Sequence, residues 1–408
     1  MSLPRDSLAS EAQAPSSTAP RSTRSRGPRG ARRPTPSFHQ GSTHSPTTTL
    51  CTSFNQDHSL FAAGLQDGFR IYSADPLSLK KRKVFPANLG GGGIGLVEML
   101  WRTNYLALVG GGKEPRWPPN KVIIWDDAKG RGIIELEFRS EVKAVRLRRD
   151  RIVVALTTRV FIYSLSVPPK RLHTFETGEN EHGLLALSSA TIPIILAFPA
   201  RQRGGRVGGG IVPKAASWQS NRTFLVSAHT APLSALAISA DGSLTASASV
   251  KGTLIRVFET SSGRLLHELR RGADRAEIYH IAFSQDASRL CVSSDKGTVH
   301  IFNLDGTGPT QVSSGLTSSS SSPSISLSSS GNRQSTLSFM KDILPKYFSS
   351  EWSFAHCRVL GETRCVCGFG KDNRTIIGKS FLFRMRERER EEERKRGGEG
   401  NYQDFGSS

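Results

Sequence analysis

What this sequence lacks narrows its chemistry first. It has no run of about 18 apolar residues, so no segment reads as a membrane-spanning helix. No secretory apolar stretch stands near its start either. Cysteine is scarce, with five in 408 residues: Cys51, Cys291, Cys357, Cys365 and Cys367. None forms a Cys-x-x-Cys pair, and the spacing frames no disulfide set. The expectation is a reducing compartment and no bound metal. Cys365 and Cys367 stand two apart, which strand alternation alone puts on one face. Apolar residues at helical spacing are nearly absent. No nucleophile–base pair or ligand cluster is visible, so neither an enzyme nor a cofactor is expected. Acids are few, 35 against 55 Lys and Arg, for a net charge of +20. That imbalance favours an anionic partner such as membrane headgroups or nucleic acid.

What the chain does have is repetition. Three stretches share one pattern: "FNQDHSLFAAGLQDGFRIY" (54–72), "ISADGSLTASASVKGTLIRVF" (238–258) and "FSQDASRLCVSSDKGTVHIF" (283–302). Each runs from an apolar residue through an Asp turn, a small-residue strand and a Gly turn into an apolar strand ending in an aromatic. Asp57, Asp241 and Asp286 are each followed by Gly eleven residues on, at Gly68, Gly252 and Gly297. Asp241 and Asp286 lie 45 apart, and Asp57 and Asp241 lie 184 apart, four times 46. That period is one blade of a WD-type propeller. Residues 104–127, 142–165 and 182–200 supply further short, Gly-punctuated strands. "WSFAHCRVL" and "RCVCGFGKDNRTII" read as a seventh blade. The expected fold is therefore all-β, a seven-bladed β-propeller of WD-type repeats over 50–383. Residues 1–49 read as a disordered basic Ser/Pro/Arg-rich tail, with a transit peptide as the alternative. Residues 305–338 read as a Ser-rich loop, and 384–408 as a charged disordered tail.

"NYLALVGGGKEPRWPPNKVIIWDD", "EVKAVRLRRDRIVV", "KGTLIRVFETSSG", "LHELRRGADRAEIYHIAFSQDASRLCVSSDKGTVHIF" and "LPKYFSSEWSF" together resemble the PROPPIN family, and within it the branch of WIPI3 and WIPI4 most closely. The family hallmark appears as Leu269-Arg270-Arg271-Gly272. The resemblance spans about residues 50–377. It implies a propeller that binds phosphatidylinositol 3-phosphate and phosphatidylinositol 3,5-bisphosphate and acts as a membrane-recruited scaffold in autophagy. It also implies a monomer with no nucleic-acid role, cytoplasmic and peripheral on the phagophore assembly site, endosomal or vacuolar membranes.

Adjacent residues of an extended segment point to opposite faces, so Arg270 and Arg271 suit two pockets rather than one. Their guanidinium forks match phosphate oxygens. By resemblance, Arg270 joins Ser247, Ser249, Thr253 and Arg256, with His229 as a weaker member. Arg271 joins Ser294, Thr298 and His300, and Gly272 completes the hallmark. The resemblance also implies that a long loop between the third and fourth strands of blade six, about residues 305–343, enters the bilayer, with Leu337, Phe339 and Met340 as its apolar tip. In the blade-one turn, Asn55 and Asp57 match residues that contact an autophagy lipid-transfer protein; Asp57 also fits a plain turn role, because it recurs at Asp241 and Asp286.

Two departures stand out. After Ile377 the chain reads "GKSFLFRMRERERE" instead of the family's closing turn and strand, which leaves blade seven complete or incomplete. Residues 201–220 are Gly- and Arg-rich where blade four should show a plain hairpin. Two other functions stay open at this stage. One is a propeller scaffold for protein assembly without lipid binding. The other is a basic nucleic-acid binder, which would interleave aromatics with a broad basic face.

Overall fold

The computed structural model describes residues 48–86, 90–190, 194–201, 209–215, 225–304, 350–359, 364–373 and 375–379. All of them belong to the unit Pro46–Ser408. Every regular element among the described residues is a strand, and the strands form a β-propeller. The first sheet runs Thr49–Phe54, Leu60–Leu65, Gly68–Ser73, Ser78–Val84 in sequence order. The second runs from Ile94–Met99 to Arg131–Glu137 and the third from Ala144–Arg148 to Arg171–Glu176. The fourth comprises Ala186–Leu187, Ile195–Pro199, Gly209–Ala215 and Val226–His229. Leu233–Ile238, Leu244–Ser249, Leu254–Glu259 and Leu265–Arg270 make the fifth, extended by Glu351–Trp352. The sixth holds Ile278–Phe283, Arg289–Ser294, Thr298–Asn303 and Ala355–Arg358. Val366–Phe369 and Ile376–Lys379 are the described strands of the last.

Burial follows the position of each strand in its sheet. Second strands such as Leu60–Leu65 and Tyr105–Gly110 are covered on both faces and read as continuous apolar or small runs. Outer strands such as "SLKKRKV" (78–84) are exposed and cationic, which discourages edge-to-edge pairing with another chain. Apolar clusters then join each sheet to the next. Phe69 packs with Ile94 and Leu108, Val122 with Val154, and Ile162 with Phe198. Ala228 meets Leu233, and Leu269 meets Val292. Cys291 and Val299 of the sixth sheet pack on Cys367 and Phe369. Ile377 packs on Phe61 and Tyr72 of the first sheet, so the packing returns to its start.

The repeated aspartates build the same turn each time. Asp57, Asp241 and Asp286 accept the backbone N–H two residues on, at 3.0, 3.1 and 3.1 Å. The residue after each is left-handed: His58 at φ 55°, Gly242 at 80° and Ala287 at 59°. An Asp side chain that caps its own turn makes this conformation accessible. Asp372 repeats the device, accepting from Thr375 N–H at 2.9 Å with Asn373 at φ 52°. At the second turn Gly252 has φ 62°, and a Cβ there would sit 1.8 Å from the Ala276 carbonyl oxygen. Only glycine fits.

Two expectations change. "WSFAHCRVL" is not part of a seventh blade. Glu351–Trp352 pairs in parallel with the end of Leu265–Arg270, and Ala355–Arg358 pairs antiparallel with Thr298–Asn303. The Gly/Arg-rich stretch is not merely an interruption of blade four, because Gly209–Ala215 pairs with both Ile195–Pro199 and Val226–His229. Backbone hydrogen bonds need no side-chain pattern, so composition hid this strand. Residues 1–47, 305–349 and 380–408 lie outside the described residues. The two expected tails, the Ser-rich loop and Leu337, Phe339 and Met340 therefore fall there.

Candidate anion-binding site

Arg270 ends a strand of the fifth sheet and Arg271 follows it. Neither faces solvent freely, since each is only 7% exposed. The segment 350–356, about eighty residues further along the sequence, lies against the pair, with Ser350 bonded to Arg270 and residues 352–356 lining a cavity with Arg271. Trp352 stands in register with Arg270, and His267 Nδ1 meets Glu351 Oε1 at 2.9 Å. These contacts lay the segment along the edge of the fifth sheet.

The two arginines do diverge. Arg270 Nε donates to Ser350 Oγ at 2.7 Å. Arg271 Nε donates to the Gly252 carbonyl at 2.9 Å, and its Nη2 donates to the Asp274 carbonyl. The Arg271 N–H also donates to Thr253 O at 3.0 Å. Burial lowers the Arg271 pKa from its ordinary value, while Asp295 and Asp274 oppose that shift.

Arg271 and His300 line an open cavity of about 600 Å³ with Trp352, Ser353, Phe354, Ala355 and His356. His300 touches Ser353 Oγ at 3.2 Å through Nδ1 and Thr298 Oγ1 at 3.2 Å through Nε2. Its ring stacks with His356 at 5.9 Å between centroids. Burial, with help from Arg271 and His356, pulls its pKa down to about 4. Ser294 is buried and its Oγ accepts from Lys296 N–H at 3.4 Å, a turn-holding role beside the cavity.

The other expected set spans the fifth sheet and the last strand of the fourth. Ser247 is fully buried and meets His229 Nε2 at 3.0 Å. Arg256 binds Glu268 Oε2 through Nε at 2.9 Å and Nη2 at 2.7 Å, and the Ala228 carbonyl through Nη1 at 2.6 Å. Burial and the Arg256 charge bring the His229 pKa down to about 4, against the Ser247 bond. Ser249 is buried and its carbonyl accepts from Gly252 N–H at 2.8 Å, while Thr253 is half-buried. Gly272 is half-buried with open space where a Cβ would go.

At the blade-one turn Asn55 is buried. Its amide donates to Ser59 Oγ and the Trp101 carbonyl, each at 3.2 Å, and its oxygen accepts from Leu60 N–H at 3.0 Å. Asp57 is half-buried and meets Arg102 Nε at 3.5 Å. Sequence reasoning missed Trp352, Phe354 and His356 as cavity residues; their alternation in "EWSFAH" was the available signal.

Comparison with known proteins gives a consistent result. The family model described as PROPPIN matches residues 48–342. SVP1-like protein 2 of Pichia angusta is 40% identical over 338 residues, covering 82% of this chain and 88% of that protein. Autophagy-related protein 18e of Arabidopsis thaliana is 35% identical, covering 80% of each. The crystal structure of Kluyvelomyces marxianus Hsv2 aligns with a TM-score of 0.60 at 23% identity, covering 82% of this chain and 89% of that one, a likeness of fold. These relatives do not resolve a branch within the family.

Proposed function

The chain belongs to the PROPPIN family, and we propose that it binds phosphatidylinositol 3-phosphate and phosphatidylinositol 3,5-bisphosphate through two pockets on either side of Arg270-Arg271. It would then act, as a monomer, as a peripheral membrane scaffold in autophagy. The observation that carries this reading is the divergence of the two arginines, one toward Ser350 and one into the cavity with His300. A guanidinium held from behind by carbonyls is pre-oriented, so little freedom is lost when it grips a phosphate. Arriving phosphate charge would also favour protonation of His300, which the neighbouring Arg271 now disfavours. Two sites docking on one membrane add the gain of bivalency. The ring is proposed to close with seven blades, each apolar cluster linking one blade to the next. Asp57, beside Arg102, is proposed to meet a lipid-transfer protein of autophagy, with Asn55 holding the turn from inside.

The experiment is vesicle co-sedimentation of wild type and Arg270→Thr/Arg271→Thr, with 3-phosphorylated and unphosphorylated phosphatidylinositol, beside a thermal melt. The wild type should prefer the phosphorylated vesicles, and the double variant should lose them while still melting cooperatively. Unchanged recruitment of the double variant would refute the two-pocket reading. Loss that coincides with a collapsed melt would make the arginines structural.

A further inference from the structure

Phe354 is 40% exposed, although it belongs to a segment pinned on both sides. Before it, Trp352 pairs with Arg270 of the fifth sheet. After it, Ala355 pairs with Ile301 and His356 with His300 of the sixth. Ser353 beside it is tied to His300. Phe354 therefore sits where the segment passes from one sheet to the other, half-exposed in the lining of the cavity that Arg271 and His300 share. Trp352 stands half-buried next to it.

A cationic cavity with an aromatic rim has two chemistries side by side. A soluble phosphate would use the cavity and leave the ring in water. A bilayer offers both at once: an anionic headgroup, and within a side chain's reach the apolar boundary where aromatic rings partition. The positive excess of the chain, +20 overall, matches the same surface.

We propose that Phe354, backed by Trp352, is a membrane-interface anchor that enters the headgroup–acyl boundary around the lipid held by Arg271 and His300. This assignment rests on the phosphoinositide reading and adds to it a fixed apolar contact outside the segment 305–349. The ring adds more affinity for vesicles than for the isolated headgroup.

The test separates those two affinities. Calorimetry with inositol 1,3-bisphosphate measures headgroup binding without a bilayer; co-sedimentation with phosphatidylcholine vesicles carrying phosphatidylinositol 3-phosphate measures headgroup and rim together. Phe354→Ser should weaken vesicle binding roughly tenfold more than it weakens headgroup binding, a difference in proportion to the apolar area withdrawn. Phe354→Trp should restore vesicle binding, and brominated acyl chains should quench its added emission. Parallel losses of headgroup and vesicle binding would make Phe354 a cavity-packing residue and overturn the proposal. So would unchanged vesicle binding of Phe354→Ser, or emission of Phe354→Trp quenched no more than that of the wild type. Failure of the wild type to bind either ligand would overturn the phosphoinositide reading as well. Tight capture of a phosphoserine peptide that weakens in Phe354→Ser would assign the ring to a protein partner instead.

Discussion

Arg271→Lys separates charge from shape at the cavity. The guanidinium uses two nitrogens to hold the Gly252 and Asp274 carbonyls, and the residue is 7% exposed. A single ammonium at the end of a flexible stem cannot keep both bonds and also reach into the cavity. Losing two hydrogen bonds, each contributing about 0.5–1.5 kcal/mol net, destabilises the fold by about 1–3 kcal/mol. For a large domain that corresponds to a melting temperature lower by roughly 2–10 °C. Phosphate binding loses at least one charge-assisted bond, about 1.5–3 kcal/mol, hence about ten- to a hundredfold in affinity. The assay is a thermal melt paired with titration of 3-phosphoinositide vesicles, with Arg271→Ala alongside. A lysine variant melting within about 1 °C of wild type would show that the two carbonyl bonds hold little. A lysine variant with wild-type vesicle affinity, beside an alanine variant without it, would show that a point charge suffices and that the fork grips nothing.

Two further outcomes are expected. Burial pushes the Glu98 carboxyl from 4.5 up to about 7, against the pull of Arg146 at 3.5 Å. A carboxyl whose folded pKa lies above its unfolded one destabilises the fold progressively as pH rises through that window, so Glu98→Gln should gain on wild type between pH 5 and 8 by up to about 3 kcal/mol; paired melts giving a pH-independent difference would count against it. In pull-downs with the proposed lipid-transfer partner, Asp57→Ala should lose the partner while vesicle binding survives, and retained partner would leave Asp57 as a turn residue only.

The legible parts of this molecule are local. The Asp–Gly repeat could be read because each Asp side chain closes its own turn two residues on, as at Asp57, Asp241 and Asp286. Divergence of Arg270 and Arg271 could be read from strand geometry alone. The cover over Arg270 could not, because it comes with a parallel pairing of Trp352 with Arg270 across a long low-complexity stretch. A second long-range pairing, of Ala355–Arg358 with Thr298–Asn303, sets His356 against His300, so the cavity rim was hidden for the same reason. Gly209–Ala215 escaped notice because its backbone pairs on both sides while its glycines signal a loop. Ser247 shows the opposite limit. Its residue type suits a phosphate cradle, yet its hydroxyl is already spent on His229 behind full burial.

The last sheet occupies the place of a keystone. Cys367 and Phe369 press on Cys291 and Val299 on one side, while Ile377 presses on Phe61 and Tyr72 on the other. Removing such a wedge differs from trimming the end of a stack, because two neighbours are bared at once and they carry the opening and closing turns of the circuit. The unusual sequence that begins after Ile377 thus adjoins a joint on which both neighbouring sheets lean.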